Sequence, residues 1–152
     1  MTPVLPAFAG HVPAALKRIY PEANIQYLGK WTGFSDTYRC HFLNPEEPLF
    51  AEIQKSFLQE QEKLFGTDHI YGVDPFNEVD PPSWDPKYLA QVSADMYKTL
   101  TAADPEAVWL QMTWMFYHDR DLWTAPRIKA LLTGVPQDKM MLLDYHCENI
   151  EL

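Results

Sequence analysis

The sequence predicts an α/β protein built on a parallel sheet. Short apolar runs alternate with longer stretches of helical period, the pattern of strands joined by crossover helices. No internal repeat is visible in the residues themselves, yet this strand–loop–helix unit returns at roughly 40-residue intervals, the scale of β/α units with long upper loops. Four units fit the 152 residues, and a closed (β/α)8 barrel needs eight. The chain therefore reads as α/β, about half of a (β/α)8 TIM-type barrel, with residues 1–152 in one domain.

Each element has its own signal. Residues 4–8 read as a first strand, followed by a loop over 9–13 and a short helix over 14–20. Residues 21–48 are irregular, with a short strand expected at 25–28 and an extended run at 38–43. A long helix begins after Pro48, its Leu49, Phe50, Ile53, Phe57, Leu58, Leu64 and Phe65 recurring every three or four residues as a core-facing stripe, with Gly66 at C′. A strand at 69–73 runs into a loop over 74–85 broken by Pro75, Pro81 and Pro82. Asp85 followed by Pro86 supplies an N-cap and first helical position, opening a helix to about residue 103 that buries Leu89, Val92, Met96 and Leu100. A third strand at 107–111 empties into an aromatic loop at 114–118. A helix at 126–132 ends at Gly134, and a last strand occupies 140–143. A four-stranded piece of this kind leaves two open strand edges, so poor solubility or dependence on a further segment is expected.

Composition narrows the function. A net charge of -9 with twelve scattered basic residues argues against nucleic acid as a partner. No apolar run approaches the roughly 20 residues of a membrane span, and residues 1–6 lack a signal-peptide pattern, so no membrane association is expected. Two cysteines, Cys40 and Cys147, are too few for a disulfide scaffold or a CxxC zinc site. The histidines show no HxH, HxxxH or HExxH spacing, so neither a metal nor a cofactor is expected. Cys147 lies between His146 and Glu148, but adjacent residues of an extended segment point in opposite directions and make no dyad. Aromatic residues make up 14% of the chain beside thirteen prolines, which suits a sugar cleft of stacked rings held by rigid loops, and equally a loop-rich domain.

Glu78 is the leading candidate for chemistry. It follows Asn77 just past the end of an apolar strand, where barrel enzymes place their active-site mouth. Partial burial there is expected to raise its pKa towards the working pH of a general acid. Asn77 can hold a sugar hydroxyl or amide. Trp31 and Trp114, in loops on the strand-exit side, are candidate walls of a pyranose pocket. Trp109, inside a strand, is expected in the core, and Trp84 and Trp123, beside prolines, are expected to pack loops.

Residues 1–13, then 65–72, then Phe76-Asn77-Glu78 with Pro81-Pro82, and Ala107 to Leu110 with Trp114 together resemble the α-N-acetylglucosaminidases of glycoside hydrolase family 89. The resemblance spans essentially the whole chain. It implies a retaining exo-glycosidase that removes terminal α-linked N-acetylglucosamine, in animals from heparan sulfate in the lysosome, in relatives that are homo-oligomers. It assigns Glu78 as acid/base and Asn77, Trp31, Trp114 and Tyr145 to substrate binding, with Tyr145 differing in residue type from the animal enzymes. It also implies that the chain is the N-terminal half of the catalytic barrel, with the nucleophile beyond Leu152 and the isolated chain inactive. Glu148 and Glu151 do not align with that nucleophile. Asp36 stands where animal members have a cysteine that would pair with the equivalent of Cys40, and no Asn-X-Ser/Thr acceptor occurs. The alternative is a non-catalytic sugar-binding or interaction module using the Trp31 and Trp114 loops; an inverting enzyme with Asp74 or Asp80 as base is a third.

Overall fold

A computed structural model describes residues 2–31 and 33–144; Tyr145, His146, Cys147, Glu148 and Glu151 lie outside them. Four strands, β1 (Leu5–Pro6), β5 (Ile70–Gly72), β6 (Val108–Met112) and β7 (Met140–Leu143), form a parallel sheet whose spatial order follows chain order. Helices α2 (Pro48–Phe65), α3 (Pro86–Ala103) and α5 (Ala125–Thr133) are the crossovers between them. This is the predicted arrangement: each short apolar run pairs with the next, as in a barrel wall. Among the described residues the sheet ends in two open edges, and on the outer strand β7 the side chains of Met141, Leu142 and Leu143 are exposed.

The core lies between sheet and helices. Tyr71, Val73 and Trp109 from the strands meet Leu58 of α2, Leu89, Val92, Met96 and Leu100 of α3, and Leu131 of α5. Trp109 is fully buried and donates its indole N–H to the Val73 carbonyl at 2.9 Å. Asp85 caps α3 by accepting from the Lys87 amide at 2.9 Å, with Pro86 in the first turn, as the sequence predicts.

Three expectations are corrected. The long stripe of α2 does not turn wholly to the core: Phe50, Gln54, Leu58 and Gln61 face inward, while Phe57, Leu64 and Phe65 are exposed at 41%, 72% or more. The reason lies at β1, whose outer edge has no strand to pair with among the described residues. Gln54 accepts from the Phe8 amide at 2.9 Å, and Gln61 donates to the Pro6 carbonyl at 3.0 Å. Satisfying those groups turns the two glutamines inward, and leaves Leu49, Ile53, Phe57, Leu64 and Phe65 lining a groove of ≈ 730 Å³ with Tyr20.

Secondly, the segment between β1 and α2 is not irregular. Strands β2 (His11–Val12), β3 (Ile25–Tyr27) and β4 (His41–Leu43) form an antiparallel sheet in the order β2-β4-β3, with the one-turn helix α1 (Leu16–Ile19) between β2 and β3. The extended stretches expected at 25–28 and 38–43 are β3 and β4; what two- and three-residue strands do not record is their non-local pairing and the added strand β2. Thirdly, residues 114–118 are a one-turn helix, α4 (Trp114–His118), rather than a loop. Thr113 fixes its start by donating both its amide and its hydroxyl to the Leu143 carbonyl, and Met115 anchors the turn in the core.

The small sheet is joined to the loop over 74–85. Gly29 donates its amide to the Asp80 carbonyl at 3.0 Å, and a Cβ at Gly29 would come within 2.7 Å of the Asp80 side chain, so only glycine lets the chains approach so closely. His11 Nε2 is 2.9 Å from the Pro75 carbonyl, and Phe42 packs on Phe76 with ring centroids 5.5 Å apart. These contacts bring the Trp31 loop over the exit of β5. No helix among the described residues is long and apolar enough to cross a membrane.

Candidate functional site

Beyond β5 the chain makes a turn through Asp74, Pro75, Phe76 and Asn77 and reaches Glu78 with φ at 55°. That is the left-handed region, uncommon for a residue with a side chain and concentrated at functional sites, where surrounding contacts hold it. Here the contacts are visible. Phe76 is fully buried, which anchors the turn. The Glu78 carboxylate accepts from two indoles: Trp31 Nε1 donates to Oε2 at 2.9 Å and Trp114 Nε1 donates to Oε1 at 2.8 Å.

Three residues singled out by sequence, 47 and 36 positions apart from Glu78, thus meet at one carboxylate. The two indole bonds, Trp31 first and Trp114 next, hold the Glu78 pKa below the usual carboxylate value, helped by the charge of nearby His118. The raised pKa expected from burial is therefore not found. The carboxylate is little desolvated, and charge-assisted bonds to its ionised form outweigh what burial there is.

Asn77 lies in the same turn, with a buried Oδ1 that has no hydrogen-bond partner among the described residues. Tyr145 lies outside them. Trp84 and Trp123 pack on each other, centroids 5.0 Å apart, with the Arg127 guanidinium over Trp84; their role is loop packing, as expected. Asp36 forms an ion pair with Lys30 at 3.3 Å, and Cys40 is a free thiol. Among the described residues no three His, Cys, Asp or Glu side chains are grouped to hold a metal.

Four further residues complete the site. Phe34 stacks on Trp31 at 5.2 Å with planes 3° apart, and His118 stacks on Trp114 at 5.4 Å and 28°. The spacings of three and four residues are those of side chains on one turn, a signal available in the sequence. Asp74 and Gln111, at the ends of β5 and β6, carry buried oxygens, Oδ1 and Oε1, without partners among the described residues. Burial raises the Asp74 pKa to about 6; Gln111 opposes the shift by hydrogen bonding and the charge of Glu78 adds to it.

The fold that carries this site is found in solved glycoside hydrolases. A family 89 glycoside hydrolase from Clostridium perfringens, in complex with 2-acetamido-1,2-dideoxynojirmycin, superposes on 95% of this chain with a TM-score of 0.73 at 26% identity, using 16% of its own chain. A variant of the enzyme from that organism with two glutamate-to-glutamine changes, in complex with its substrate GlcNAc-alpha-1,4-galactose, gives a TM-score of 0.74 at 25% identity over 95% of this chain and 16% of its own. In class, then, the fold is that of a glycoside-hydrolase TIM barrel. The family model for the alpha-N-acetylglucosaminidase (NAGLU) tim-barrel domain matches residues 1–152, and the chain belongs to that family. Human alpha-N-acetylglucosaminidase is 49% identical over 150 residues, which are 98% of this chain and 20% of the human protein. The chain thus spans about a fifth of that relative and about a sixth of the bacterial ones.

Proposed function

We propose that this chain is part of an exo-glycosidase that hydrolyses terminal α-linked N-acetylglucosamine by a retaining double displacement, with Glu78 as acid/base. The observation that carries the reading is the convergence of Trp31, Trp114 and Glu78 on one carboxylate at a strand exit. Flat indole faces suit the apolar face of a pyranose, and the carboxylate held between their edges is the group this reading needs beside a glycosidic oxygen. In the first step Glu78 gives its proton to that oxygen; in the second it takes one from water. A second carboxylate about 5–5.5 Å away forms and releases the glycosyl-enzyme intermediate, and a part of the protein other than the described residues supplies it. Asn77, through its unpartnered Oδ1, takes a sugar hydroxyl or the acetamido N–H. The heparan-sulfate substrate, lysosomal setting and homo-oligomeric state that the sequence resemblance implies belong to the same proposal.

Turnover of an aryl α-N-acetylglucosaminide by the native polypeptide carrying this segment tests the reading. Glu78→Gln is expected to lower kcat by about 10²–10⁴. Full activity in that variant sinks the assignment. Tight binding of N-acetylglucosamine by a native polypeptide that never hydrolyses it instead supports the sugar-binding module.

A further inference from the structure

Asp74 lies two residues beyond β5 and four before Glu78, immediately ahead of the turn over residues 75–78 that ends on Glu78. Its Oδ1 is buried and receives no hydrogen bond among the described residues. A bare carboxylate with a dry, unpartnered oxygen is costly, and a proton removes that cost. Glu78 stands in the opposite situation, with both oxygens occupied by indole donors that favour the charged form. Two carboxyls four residues apart, one disfavouring charge and the other favouring it, divide acid and base roles between them.

We infer that Asp74 and Glu78 work as a carboxyl pair holding one proton between them, so that Asp74, a positioning residue that does not touch the sugar, sets the charge state from which Glu78 acts. The inference rests on Glu78 being the acid/base. In the free site the proton resides on Asp74 and Glu78 is bare. When the glycosidic oxygen enters between the indoles it replaces one of their N–H groups at Glu78, and the carboxylate loses a bond that kept it ionised. The proton then passes through water from the Asp74 carboxyl to the Glu78 carboxylate, leaving Asp74 ionised and Glu78 protonated with no other reactant consumed. The new negative charge on Asp74 holds the proton on Glu78 until the glycosidic oxygen takes it.

The pair's direction follows its surroundings. Burial raises Asp74 to about 6, against a hydrogen bond from Gln111 of β6 and with the charge of Glu78. His118 of α4 acts on Glu78 from the other side. His11 of β2 is bound to the Pro75 carbonyl beside Asp74, and the carbonyl of Asp80, in the same loop, is bound to Gly29.

The test is kcat/KM against pH for the native polypeptide, Asp74→Asn and Asp74→Glu, on an aryl α-N-acetylglucosaminide. Without a charge at position 74, Glu78 holds its proton less firmly. The alkaline limb of Asp74→Asn is expected to move down by about one pH unit, a tenfold loss at the limb, with KM within about twofold; Asp74→Glu restores the limb. An unmoved limb, or a loss equal at every pH in Asp74→Asn, overturns the pair. Infrared titration of the native polypeptide, with ¹³C-labelled aspartate, needs no variant to fold: a carboxylic-acid carbonyl band disappearing near pH 6 supports the pair, and its absence above pH 5 refutes it. If Glu78→Gln retains turnover the acid/base reading fails, and the infrared titration still reports whether Asp74 keeps its proton.

Discussion

Glu78 has its carboxylate shared between two indole donors on separate segments, and each bond favours the ionised form. Trp114→Phe keeps a ring in place but deletes one donor, so the Glu78 pKa is expected to rise towards its ordinary 4.5. Carbon-13 titration of the glutamate carboxyls checks this, and a fall in the value contradicts it. That these residues lie on the strand-exit side was legible in the sequence; their electrostatics were not. An acidic side chain at a strand exit suggests burial, but whether its oxygens meet donors depends on Trp31, delivered by a small sheet whose pairing is non-local. The unpartnered oxygens of Asp74, Asn77 and Gln111 were beyond reach for the same reason, since being without a partner is a property of what surrounds a group.

Among the elements, α2, α3 and α5 were readable because proline at their starts and apolar residues at helical spacing agree. The inward face of α2 was not, because its two buried glutamines answer the unpaired backbone of β1 and carry no apolar signal. Gly134 shows how tightly α5 returns against α3: a Cβ there would lie 1.9 Å from Ser93 Oγ and 2.5 Å from the Ala90 carbonyl oxygen. Ser93 is itself fully buried and spends its hydroxyl on the Leu89 and Ala90 carbonyls, so it has nowhere to move. Gly134→Ala is therefore expected to cost about 1–3 kcal/mol, seen as a lowered denaturant midpoint. No change in that midpoint means that the helices can separate at little cost.

At the scale of the whole molecule, stability should peak in mildly acidic solution. The hydrogen bond to Asp104 raises the His69 pKa above 6.5 against burial, so its contribution is complete below 6.5 and is lost as pH rises through the raised value. Burial pushes Asp104 upwards, but bonds from Tyr71 and His69 outweigh it and lower its pKa below 3.8; that contribution is present above 3.8 and is lost as pH falls through the lowered value. Asp74, raised to about 6, disfavours folding progressively from 3.8 upwards. The melting temperature is expected to be highest near pH 4, to fall towards pH 6 as Asp74 resists ionising, and to fall again above 6.5, where His69→Asn flattens the decline. A maximum at or above pH 8 contradicts this. The pair ties the residue before β5 to the C-cap of α3. The sheet of the fold was the most legible feature at this scale, because parallel strands joined by helices need only local patterns in chain order; the antiparallel insertion, which places the site, needs contacts that a linear pattern does not record.

The indole clamp also gives the site an optical signature. Trp109 and Trp123 are buried and Trp84 is held under Arg127, whereas Trp31 is 47% exposed and bonded to a carboxylate that any bound sugar has to contest. Occupancy of the cleft should therefore register as a change in emission and quencher access of the two clamp indoles, Trp31 and Trp114, so that ligand binding can be followed in ultraviolet light without a chromogenic substrate.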